Sequence, residues 1–207
     1  MKKNTLNNFG AIGFTLLFLI MFISNKTYSQ CGTTINTYAY TEDFESGTGA
    51  WTQNGTDDLN WSHRSLNTPS NNTGPSGAAS GTYYYYVEAS GSGTGYPNKV
   101  AILESPCFDL SGITSPTFTF SYHMFGADMG TLNVDVSTDN GATYPTNLWS
   151  QNGQVQTTSG SAWNIVNLDL SAYIGQTIKL RFHGTTGSNY RSDMSIDNVS
   201  LTVAASG

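Results

Sequence analysis

The segment Thr117-Phe-Thr-Phe-Ser-Tyr-His-Met-Phe-Gly126 constrains the fold more than any other stretch. Phe118, Phe120 and Tyr122 alternate with Thr117, Thr119 and Ser121, which is the two-residue period of a strand with one buried face. Three aromatic rings on one side of one strand need a facing sheet to cover them, so the chain is predicted to be a β-sandwich. Past Gly126, Leu132, Val134 and Val136 alternate in the same way and are expected to form the adjacent strand.

Further strands are expected over Thr41–Glu45, around Trp51 and Trp61, over Tyr83–Val87 and over Lys99–Glu104, the last ended by Ser105-Pro106-Cys107. Leu148-Trp149, Trp163–Leu170, Ile178–Phe182 and Met194–Val203 complete the series. Asp139-Asn140-Gly141 carries the side chains that tolerate a left-handed hairpin turn. The surrounding Ser137–Tyr144 resembles an Asp-box turn and reads as structural. One helical turn is expected within Ser171–Gly175. The sum is about ten to twelve short strands, an all-β, jelly-roll-like antiparallel β-sandwich.

Lys2 and Lys3 precede an apolar run from Gly10 to Ile23, and Thr27-Tyr28-Ser29 has the small-x-small form of a cleavage site. Residues 1–29 therefore read as a secretory signal peptide. The competing membrane anchor would need a longer apolar core. A lipidated Cys31 would need a small residue just before it, where Gln30 stands. Residues 30–203 are then one exported domain, and residues 204–207 a linker or tail. Localisation outside the cell or at its surface follows, with no transmembrane span in the mature chain.

The mature part keeps five Lys+Arg against 14 Asp+Glu, a net charge of −9. Nucleic acid and anionic lipid surfaces demand clustered cations, so both are excluded as partners. Cys31 and Cys107 are the two cysteines, and in an exported chain they are expected to form a disulfide.

Asp43 and Glu45 start the domain and Asp197 is expected to start its last strand. A sandwich commonly pairs its first and last strands, so these carboxylates are expected to meet and to repel unless a cation neutralises them. Oxygen ligands select a hard ion, hence a structural Ca²⁺. Asp57, Asp58 and Glu88 are weaker ligand candidates. Tyr84 and Tyr86 share one face of the tyrosine run and could form an exposed platform for a sugar or a partner, with Trp51 or Trp61 as further aromatics. Burial of one face with ordinary exposure of the other is the competing reading. The loop Ser65–Gly81 is long enough for a binding role. His63, His123 and His183 have no metal-ligand spacing, and no nucleophile or phosphate-cradling motif appears, so no enzyme is expected.

Asp43-Phe44-Glu45, Trp51, Trp61, Gly81, Tyr83 and Leu103, then Phe120-Ser-Tyr-His-Met-Phe-Gly126, Gly130, Leu132 and Val134, resemble the MAM domain. Trp149, Gly153, Trp163, Leu180, Phe182, Gly184, Asp193, Ile196, Asp197 and Val199 continue the likeness in order, over about residues 40–203. MAM domains are the extracellular modules of meprins, neuropilins and receptor-type tyrosine phosphatases. The resemblance implies a jelly-roll sandwich and a non-enzymatic role in adhesion to an extracellular protein, with contacts between copies of the chain as one form. A carbohydrate-binding module on the same architecture is the alternative. Animal MAM domains carry more cysteines, so their disulfide pattern does not transfer, and a bacterial exported relative fits the composition.

Overall fold

The structure, a computed structural model, describes residue 1, residues 31–91 and residues 94–204. The expected signal peptide lies outside the described residues apart from Met1, and so does the expected tail apart from Ala204.

Twelve strands are described, in two sheets. They are β1 (Thr34–Ile35), β2 (Tyr40–Glu42), β3 (Thr52–Gln53), β4 (Ser62–Ser65), β5 (Tyr83–Tyr86), β6 (Val100–Asp109), β7 (Thr117–Met124), β8 (Thr131–Ser137), β9 (Thr146–Asn152), β10 (Asn164–Asp169), β11 (Thr177–Thr185) and β12 (Met194–Thr202). A 3₁₀ turn, Ser171–Tyr173, sits where one helical turn was expected. The first sheet runs β1-β6-β11-β8-β9, with β3 also on β6; the second runs β10-β7-β12-β5-β4, with β2 also on β12. All pairings are antiparallel except β1 with β6. The fold is the sandwich that the alternation implied.

The core lies between the sheets. From β7, Phe118, Phe120, Tyr122 and Met124 meet Leu132, Val134 and Val136 of β8 and Ile178, Leu180 and Phe182 of β11. Phe120 stands edge-on to Phe182 at 5.0 Å, and Trp51 stacks on Phe182 at 5.1 Å. Each buried indole finds an acceptor, as burial of an N–H requires: Trp51 Nε1 donates to Tyr40 Oη and Trp61 Nε1 to the Ala101 carbonyl. Gly184 of β11 permits this packing, because a Cβ there would come within 2.8 Å of Met194 Sδ and press on Trp61.

Two expectations need correction. β8 is not the neighbour of β7: β7 pairs with β10 and β12, while β8 pairs with β11 and β9 in the facing sheet. The connection over 125–130 crosses from one layer to the other. Both strands carry a buried apolar face, and those faces are satisfied against each other across the sandwich rather than side by side. Nor does Ser105-Pro106-Cys107 end a strand, since β6 continues through Pro106 to Asp109. The register jumps there, with Lys179 opposite Cys107 but Arg181 opposite Glu104. Pro106 thus sits in a bulge, one of the few places where a strand tolerates a missing N–H. Ser105 Oγ fills the gap by accepting Leu180 N at 2.8 Å.

Cys31 and Cys107 are joined, with their Cα atoms 5.7 Å apart and a sequence separation of 76. The bridge fixes the chain just before β1 to the C-terminal part of β6.

Candidate functional site

β2 lies against β12, with Glu42 opposite Val199, so the first and last strands of the domain are neighbours. Asp43 and Glu45 follow β2 directly. On β12 the register jumps between Asp197 and Ser200, and Asn198 takes a left-handed φ of 52°. This bulge holds Asp197 on the outer face of the second sheet, under the loop 65–82.

That loop is gathered by carboxylates. Asp197 Oδ2 accepts the backbone N–H of Ala79 at 2.8 Å and of Ser80 at 3.1 Å, while Oδ1 accepts Asn198 N. Glu45 Oε1 accepts Thr82 N and Tyr83 N, both at 2.8 Å. Gly81, between these amide pairs, is left-handed at φ 67°, and a Cβ there would collide with Glu45 Oε1. Asp197 is fully buried. Burial, and to a lesser degree the charge of Glu45, push its carboxyl up to about 6 against the pull of its three amide donors. Asp43 is exposed, and its Oδ1 accepts Glu45 N at 3.1 Å. Glu45 and Asp197 therefore hold one loop between them, and Asp43 braces the backbone of Glu45. Among the described residues, no group of three or more His, Cys, Asp or Glu side chains is arranged to hold a metal ion. The donors around Glu45 and Asp197 are carboxylate oxygens, the chemistry that suits a hard cation. Asp57 and Asp58 are committed to Ile102 N and Val100 N, and Glu88 accepts from Tyr86 and Ser90.

The expected tyrosine platform is not exposed. Tyr84 is fully buried and Tyr86 is 4 % exposed. Tyr84 Oη donates to the Leu66 carbonyl, and its ring stands edge-on to Trp163 at 5.7 Å. The loop 65–81 folds back over this face instead of standing off in solvent: Gly74 N donates to the Phe125 carbonyl and Ser76 N to that of Ser159. Tyr85, on the other face, enters the core. Trp51 and Trp61 are buried too, so neither offers an exposed ring.

Under the same loop lies a polar layer of His123, Asp193 and Ser195, all fully buried. Ser195 is directly opposite His123 in the β7–β12 register. The residue types invite comparison with a nucleophilic triad, but the chemistry does not follow. Both ring nitrogens of His123, Asp193 Oδ2 and Ser195 Oγ lack a hydrogen-bond partner. Burial pushes the His123 imidazolium down to about 4, and burial with Glu88 nearby pushes the Asp193 carboxyl up to about 7. A base, an orienting acid and a nucleophile that share no hydrogen bond are not set up as a proton relay.

The outer face of the first sheet carries charge, but in pairs. Arg181 Nε meets Asp135 Oδ2 at 2.9 Å, His183 Nδ1 is 3.4 Å from the same oxygen, and Lys179 Nζ lies 2.6 Å from Glu104. Although burial opposes it, hydrogen bonds from His183, Asn147 and Arg181 hold Asp135 down, at about 2. Arg181 also covers the Tyr144 ring at 4.3 Å. Lys99 and Arg191 are paired as well, with Asp58 at 3.3 Å and Asp128 at 2.9 Å.

The MAM domain family (meprin/A5/mu) matches residues 43–205. The chain belongs to the MAM family. MAM domain-containing glycosylphosphatidylinositol anchor protein 2 of Mus musculus is 31% identical over 193 residues, covering 84% of this chain and 20% of that protein. Thyroid hormone-induced protein B of Xenopus laevis is 31% identical over 141 residues, covering 67% of this chain and 19% of its own length. The chain thus spans about a fifth of the curated relatives it matches. Among solved structures, the K1 cleaved adhesin domain of Lys-gingipain from Porphyromonas gingivalis W83 shares the fold at TM-score 0.55 and 18% identity, over 83% of this chain and 100% of that one.

The sequence located Glu45 and Asp197 but not the amides of residues 79–83, because backbone donors leave no residue-type signature. His123, Asp193 and Ser195 were also missed as a layer. Their one signal was the polar alternation opposite the aromatic face of β7 and β12.

Proposed function

We propose that this MAM domain is a non-catalytic adhesion module, acting outside the cell or at its surface, that holds an extracellular protein or glycan partner. The observation that carries the reading is the family match over residues 43–205, which takes in β3 to β12. The curated relatives named as glycosylphosphatidylinositol-anchored proteins support a surface location. Among the described residues no helix is long and apolar enough to cross a membrane. Export through residues 1–29, a bacterial source and contacts between copies of the chain belong to the same proposal. So does a structural Ca²⁺ at Glu45 and Asp197, with Asp43 beside them. There the ion would offset the burial, and to a lesser degree the Glu45 charge, that raise the Asp197 carboxyl, and would pin the loop 77–83. Asp197 and Glu45 each bind that loop already, so the chain's own residues set its shape and the cation adds rigidity.

The test is a solid-phase binding assay with the full chain against extracellular matrix proteins and cell-envelope polysaccharides, with the bound ligand analysed by mass spectrometry. Saturable retention with the ligand recovered intact is expected. Retention of neither class, or a ligand altered on the column, would overturn the reading.

A further inference from the structure

Most of the open strand edges in this sandwich are blunted. β1, β2 and β3 are two or three residues long, and β4 has four and carries Arg64. β9 is bulged, its register on β8 jumping between Val134 and Asp135. Short length, charge and bulges are the usual protections of an edge. β10 has none of them. It ends the second sheet, pairs with β7 over six consecutive residues without a shift, and reads Asn-Ile-Val-Asn-Leu-Asp, with its one charge at the last position.

The backbone pairing fixes which groups are free. Leu170 N donates to the Pro116 carbonyl, in line with the register that sets Leu168 opposite Phe118, Val166 opposite Phe120 and Asn164 opposite Tyr122. Antiparallel ladders alternate, so those residues turn N–H and C=O toward β7, while Ile165, Asn167 and Asp169 turn theirs outward. Among the described residues no strand lies on that side of β10. The side chains alternate too. Val166 and Leu168 face the core, where Tyr122 and Trp149 line an open trough of about 610 Å³. Ile165 and Asn167 face away from it: Ile165 is 65% exposed, and Asn167 Oδ1 accepts from the Thr119 hydroxyl at 2.8 Å.

We infer that β10 is the docking edge for an extended peptide of a partner protein, free of acids and apolar at alternate positions, which adds as the next strand of the second sheet. A row of free N–H and C=O groups at strand spacing is matched by another extended backbone. A saccharide offers no such repeat. Alternate side chains of the added strand would fall beside Val166 and Leu168, over the trough, where Tyr122 and Trp149 suit apolar residues. The others would lie beside Ile165 and Asn167, next to water. The mature net charge of −9 and the closing Asp169 favour a basic segment and disfavour an acidic one. The same charge opposes edge-to-edge pairing of two copies of this chain. The inference deepens the adhesion reading by naming its partner class, and rests on it.

The experiment is calorimetry and NMR-detected hydrogen exchange of the full chain with three synthetic peptides, alternating Val/Thr, Ile/Ser and Phe/Thr, each with Lys at both ends. At least one should bind and slow exchange at the amides of Ile165, Asn167 and Asp169. N-methylation of one alternate set of its residues should abolish binding, and that of the other set should not. Ile165→Pro removes an outward N–H and leaves the β7 ladder whole, a change that an edge strand tolerates. Affinity should then fall about tenfold, the cost of one unmade backbone bond. Ile165→Lys keeps the backbone, and should weaken the Lys-ended peptides while strengthening their Glu-ended versions. Binding of none of the three, equal binding of the two N-methylated forms, parent-like affinities in both variants, or protection on β4 or β9 instead of β10 would overturn the inference. So would a dimer in sedimentation that Ile165→Lys dissolves, which gives the edge to a second copy. Saturable retention on a matrix protein or polysaccharide without peptide binding would sink the edge site and leave the adhesion reading standing. Retention on no surface at all would remove both.

Discussion

Replacing Phe120 by Ala probes the contact on which the two-layer arrangement depends. Phe120 is fully buried at the centre of β7, with Phe118, Tyr122, Trp149 and Phe182 at ring distances of 5.8, 6.3, 5.3 and 5.0 Å. Truncating a buried Phe removes its transfer free energy and leaves a cavity that β-sheet neighbours cannot collapse into, costing about 3–5 kcal/mol. For a domain of this size that lowers Tm by roughly 10–15 °C. Phe182 lies in the other sheet, so Phe120→Ala/Phe182→Ala measures cross-layer coupling. An edge-to-face pair should couple by about 0.5–1.5 kcal/mol beyond its area burial. Urea unfolding with the disulfide intact, followed by tryptophan fluorescence and circular dichroism together, gives each value under a two-state check. Additivity within about 0.3 kcal/mol, or a single-variant cost below about 1 kcal/mol, would mean the two rings do not meet.

Removing the Cys31–Cys107 bridge opens a loop of 76 residues, and chain-entropy reasoning sets the loss at up to about 4–5 kcal/mol; a Cys31→Ser/Cys107→Ser protein within 1 kcal/mol of the parent would contradict the role given to the bridge. Calcium chelation should lower Tm and added Ca²⁺ restore it, and Asp197→Asn should abolish that response; superimposable melting curves would retire the cation. Asp193 sets a pH dependence. Its native carboxyl is pushed up to about 7, above its ordinary value. Its stability contribution is therefore complete below the ordinary carboxylate range and is lost as pH rises through about 7. His123, pushed down to about 4, acts oppositely and loses stability as pH falls from its ordinary range toward 4. Asp193→Asn should thus gain on the parent as pH goes from 5 to 8, and a Tm difference that ignores pH would refute the assignment.

The aromatic face of β7 and the alternation of β11 were legible because a strand's period is written locally in its own residues. Which strands become neighbours was not. The β7–β8 pairing failed because it depends on where a connection of six residues crosses, and nothing in 125–130 records the layer it enters. Pro106 misled for a related reason: its missing N–H is disqualifying in a regular ladder but harmless in the bulge that β6 makes opposite Leu180. Tyr84 and Tyr86 look exposable because the loop 65–81 has almost no large apolar side chain. It covers them with backbone and small side chains, anchored through the amides of Gly74, Ser76, Ala79 and Ser80. Glu45 and Asp197 were legible as a pair because adjacency of the first and last strands is a property of the sandwich itself.

An adhesion module holds its ligand without turning it over. Titrating the full chain against an immobilised extracellular ligand, and weighing that ligand before and after, tests this directly. Saturable binding at one site per chain with an unchanged ligand mass is the predicted result. Release of a smaller product, growing with time and enzyme-like in its dependence on chain concentration, would contradict it.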